Sequence, residues 1–117
     1  MFSEIEEIKD TLNYVDDNWN DEKFSDIWQE ANTLVKERLT NTDYQFLDIK
    51  RKMNILHILC VVTHINNIYS MSININKFLE NVAKLNFVAA ANGIKLQINN
   101  SNKTNLANHM SRMIKNI

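Results

Sequence analysis

Between Asn54 and Ile68 the chain reads NILHILCVVTHINNI, the one stretch in which apolar residues run almost unbroken. Such a segment must be buried, and whether it is strand or helix decides the architecture. Periodicity alone does not settle a short apolar run; length and flanks do. The pattern reaches back through Tyr44, Phe46, Leu47 and Met53 and forward to Tyr69 with no Gly or Pro, far beyond the roughly 5 to 6 residues of an ordinary strand. On a helix, Ile55, Ile58, Leu59, Val61, Val62, Ile65 and Ile68 cover about half of the circumference, which places the helix at the centre of a bundle, with Val62 among its most buried residues. The run is too short, and too interrupted by His57, Thr63 and His64, to supply the roughly 20 apolar residues that cross a bilayer, so no membrane partner is expected.

The opposite arc of this helix carries Met53, His57, Cys60, His64 and Asn67, because separations of three, four and seven residues return to one face. His57, Cys60 and His64 are ligand types for zinc or copper. They leave a tetrahedron one ligand short, and no second Cys or carboxylate stands at a spacing that completes it. The expectation is histidines hydrogen-bonded to neighbours at the rim of a core helix, with no metal and no cofactor.

At 117 residues and 44% hydrophobic content the chain can bury a core without staples, and 1–117 reads as one helical domain. The lone Cys excludes an internal disulfide, and the first residues, Met-Phe-Ser-Glu-Ile-Glu-Glu, have neither a basic nor an apolar leader region. A cytoplasmic protein is expected. The net charge of −1 conceals a division: residues 1–49 hold thirteen acids and four bases, a net of −9, and residues 50–117 hold nine bases and one acid, Glu80, a net of +8. Either the two halves pair internally or they present surfaces with different tasks.

In chain order, Ser3 and Glu6 form a capping box for a first helix over 4–15 with Ile5, Ile8, Leu12 and Val15 inward. Asp16 to Asn20 is a polar break in which Trp19 either folds back over the helix pair or anchors a partner. A second helix over 21–39 buries Phe24, Ile27, Trp28, Ala31, Leu34, Val35 and Leu39. Its other side carries Glu22, Asp26 and Glu30, an acidic ladder in which each step is a like-charge contact. Asn41, Thr42 and Asp43 offer N-caps for the central helix, and Ser72 offers one for a fourth helix with Ile75, Phe78, Leu79, Val82, Leu85 and Ala89 inward. Gly93 stands where a left-handed C′ residue ends that helix. Beyond it Ile94, Leu96 and Ile98 alternate like a short strand, as do Met71, Ile73 and Ile75, which together allow one two-stranded β pairing. Thr104 caps a last helix with Leu106, Met110, Met113, Ile114 and Ile117 inward. The sum is an all-α bundle of about five helices.

No phosphate loop, dinucleotide fingerprint or nucleophile elbow occurs, and one glycine cannot hide one. No enzyme is expected, and binding is the remaining class. The first binding reading is an inhibitor of the immunity-protein or antitoxin type. Its acidic face, Asp16, Asp17, Asp21, Glu22, Asp26 and Glu30 with Trp19 as apolar anchor, would cover a basic protein partner such as a toxin nuclease. The alternative is a helix-turn-helix-like nucleic-acid binder using Asn105, Asn108, His109, Arg112 and Lys115 on the last helix. The connection from Ile94 to Lys103 is longer than the usual 3 to 4 residues of that motif.

Overall fold

The computed structural model describes residues 2–101 and 104–115, and side chains from residue 4 onward apart from those of Thr104 and Arg112. Among the described residues there are seven α-helices and no strand: α1 (Phe2–Val15), α2 (Phe24–Leu39), α3 (Ile49–Tyr69), α4 (Ile75–Ala83), α5 (Phe87–Asn100), α6 (Thr104–His109) and α7 (Ser111–Lys115). The radius of gyration, 13.1 Å, is that of a compact chain of this length.

The central apolar run becomes α3, and every residue from Ile55 to Ile65 is buried. α3 packs against α1, α2, α4 and α7, so it has no solvent face over this stretch. Val62 is 1% exposed, as its place in the run predicts. α1 and α2 add Ile8, Leu12, Ile27, Ala31 and Leu39, and the C-terminal helices add Ala90, Ile94, Ile98, Met110 and Ile114. None of the described helices is long and apolar enough to cross a membrane.

The caps correct several expected boundaries. α1 runs from Phe2, and the Ser3 capping box lies outside the described side chains. Asn20 caps a short 3-10 turn, Asp21–Lys23, before α2. Thr42 caps another such turn, Asp43–Phe46, and it is Asp48 that caps α3, its carboxylate accepting the Arg51 backbone N–H at 2.8 Å. Asn74, not Ser72, caps α4. The last helix is two short ones, α6 and α7, parted at Met110.

The larger correction concerns residues 72–98. The expected fourth helix divides at Leu85, whose φ of 57° is left-handed. There the Asn86 N–H reaches the Asn81 carbonyl at 2.8 Å and the Leu85 N–H reaches Val82 at 2.9 Å, the paired bonds of a Schellman stop. Asn86 then caps α5, which passes through Gly93 at an ordinary helical φ. The strand read over 94–98 is therefore helix: Ile94 and Ile98 are buried one turn apart, and Leu96 is 60% exposed. The other half of the expected β pairing is a connection without regular structure over 71–74, and Ile75 already opens α4. The connection is held by the Asn66 side chain, which donates to the Ile73 carbonyl at 3.1 Å and accepts from its N–H at 3.0 Å. An amide side chain thus satisfies the backbone groups that a partner strand would have taken.

Candidate functional site

The acidic residues singled out in the sequence gather where α1 turns into α2. Asp16 does not face outward. Its carboxylate is buried, with Oδ1 accepting the Asn18 N–H at 2.9 Å, Oδ2 accepting His64 Nε2 at 2.8 Å, and the Lys23 ammonium 3.5 Å from the same oxygen. Burial alone would raise its pKa, but the bonds from His64 and Asn18 and the charge of Lys23 outweigh it and hold the carboxyl below its ordinary value. Trp19 is folded back, half-buried and edge-on to the His64 ring at 5.8 Å, and its indole N–H donates to Asp21 Oδ1 at 2.9 Å. Asp16 and Trp19 thus hold the corner's shape: Trp19 takes the folded-back of its two expected places, and Asp16 is not the exposed contact expected of it.

Asp17, Asp21, Glu22, Asp26 and Glu30 are exposed. Among the described residues, none of Asp17, Glu22, Asp26 and Glu30 has an ion-pair partner. The lysine pairs that do form, Lys9 with Glu6, Lys23 with Asp16, and Lys77 and Lys84 with Glu80, each stay within one half of the chain. The acidic face therefore does not meet its complement through these lysines.

His57 and His64 do not act together. The Thr11 hydroxyl donates its single proton to the Glu7 carbonyl at 3.1 Å, so at 2.9 Å from His57 Nε2 it accepts, and that nitrogen carries a proton. His64 is committed to Asp16. Between them burial, with a smaller contribution from the Glu30 charge, pushes the Cys60 thiol up to about 12, so it is held as the neutral thiol. Among the described residues no three His, Cys, Asp or Glu side chains converge as a metal site.

The alternative nucleic-acid set is divided by the break at Met110. Asn105, Asn108 and His109 are exposed on α6 and Lys115 on α7, while the Arg112 side chain lies outside the described residues. The His109 ring stacks flat on Tyr14 of α1, centroids 4.3 Å apart.

One feature escapes a reading by linear spacing. Arg51 of α3, Lys95 of α5 and Lys115 of α7 surround a cavity of about 450 Å³ floored by Phe87, Val88 and Ile114. Its cations stand 20 to 64 positions apart in the sequence, so only the packing of α5 and α7 beside the start of α3 brings them together. No protein-family model, curated protein or solved structure matches the chain.

Proposed function

We propose that the protein is a binding domain of the inhibitor type, immunity protein or antitoxin in character, whose acidic α1–α2 corner covers a basic protein surface such as a nuclease active site. The supporting observation is the set of exposed carboxylates that runs from the α1–α2 connection into α2, Asp17, Asp21, Glu22, Asp26 and Glu30, with no ion-pair partner among the described residues. Unpaired like charges on one face steer a cationic partner and repel acidic ones. The corner is also preorganised. With Asp16 tied to α3 and Trp19 packed on His64, binding does not have to order the turn that presents Asp17 and Asp21.

The nucleic-acid alternative has less support, since its contact face is split between helices of six and five residues and the His109 ring is occupied by Tyr14. The inhibitor reading expects a neighbouring gene for a basic toxin whose product this chain neutralises on co-expression. With that toxin in hand, replacing Glu22, Asp26 and Glu30 by Gln, Asn and Gln should slow association by about tenfold or more and flatten its salt dependence. An unchanged association rate contradicts the proposal.

A further inference from the structure

The cationic cavity lies apart from the acidic corner, on α3, α5 and α7. Among the described residues no carboxylate lines it, and none of Arg51, Lys95 and Lys115 has a carboxylate partner. Three cations without a carboxylate partner around one groove repel one another, and an anion seated between them relieves that repulsion. The floor says what the anion must carry. Val88 and Ile114 are aliphatic, and Val88 is 73% exposed, so its side chain is open to an apolar chain lying in the groove. The one ring, Phe87, already has the Arg51 guanidinium over its face at 4.7 Å, which leaves little room to stack a planar base. The volume falls within the range of about 300 to 1,000 Å³ of small-molecule sites, and three charges around a hollow do not make the extended track that a polynucleotide backbone follows.

We propose that this groove binds a medium-chain aliphatic carboxylate, its head between Lys95, Lys115 and Arg51 and its chain over Val88 and Ile114. The site is independent of the acidic corner. Isothermal titration of the full chain with octanoate, well below its micelle concentration, tests it, with 1-octanol as the neutral control of equal length. Octanoate should bind saturably at one site, more weakly as salt rises, and 1-octanol at least about tenfold more weakly. Lys95 and Lys115 are exposed, so Lys95→Gln with Lys115→Gln should leave the melting temperature unchanged and weaken octanoate by about tenfold or more. Val88→Glu, at an exposed position, should weaken it similarly by setting a carboxylate in the groove. Unsaturable heats with octanoate, 1-octanol binding as tightly, or unaltered affinity in the double lysine variant would each overturn the proposal.

Discussion

Asp16 ends α1 with three donors on one carboxylate, from His64, Asn18 and Lys23, and this arrangement is a statement about stability. Its folded pKa lies below the ordinary value of 3.8. The contribution is therefore present at neutral pH and is lost as pH falls through the folded pKa. Asp16→Asn keeps an oxygen for His64 but loses the charge, and should cost about 1 to 3 kcal/mol at pH 7, the range for hydrogen bonds to charged groups. Urea midpoints at pH 7 and pH 3 check the sign: the gap between wild type and variant should narrow at the lower pH. Cys60 offers a second test at this scale. Fully buried and with its pKa near 12, it should react with a thiol reagent only on unfolding, so labelling in native buffer should be slow and should speed up in urea.

Leu85 and Gly93 exchange the roles that their identities suggest. Glycine is the usual residue at a left-handed helix stop, yet the stop is at Leu85 and Gly93 lies inside α5. A Cβ at Gly93 would meet nothing within 4 Å. Gly93→Ala should therefore stabilise the protein by about 0.5 to 1 kcal/mol, through helix propensity and a less entropic unfolded chain. Had Gly93 been a C′ residue with positive φ, the same change would destabilise, so one thermal melt separates the two accounts. Ser, Thr, Asn and Asp compete as caps, so Asn20, Asn74 and Asn86 did not stand out from neighbours such as Ser72, but the central helix and the inward stripes of α1 and α2 were legible because burial period is local. The break at Leu85 was not, because a leucine in the left-handed region costs roughly 1 to 2 kcal/mol and nothing in its identity advertises it. The strand misreading has the same root: Ile94 and Ile98 fit a period of two and a spacing of four equally well, and only the exposure of Leu96 decides. Asp16 was read as a surface acid because its partner, His64, is 48 residues away. The cationic groove was hidden for a similar reason, since it is assembled from three helices.

For the whole molecule, the burial of α3 and the separation of charge are distinct matters. Val62→Asp sets an unpaired charge at a site walled by α3's neighbours and should unfold the protein, since such a group costs several kcal/mol against a total of roughly 5 to 15. A cooperative melt from soluble Val62→Asp protein would show the core misplaced. The charge split, by contrast, should contribute little to folding if its carboxylates face outward for a partner. Each like-charge step of the ladder costs roughly 0.2 to 0.5 kcal/mol, and removing two steps is offset by about 0.3 to 1 kcal/mol of lost complementarity with the start of α2. The most direct test is therefore the unfolding midpoint of the variant Glu22→Gln, Asp26→Asn, Glu30→Gln beside wild type, at low and high salt and with no partner present. The outward-facing account predicts midpoints that agree within about 0.5 kcal/mol of stability at both salts. A loss of about 2 kcal/mol or more at low salt that vanishes at high salt would contradict it, because these carboxylates would then be holding the basic half of the chain in place.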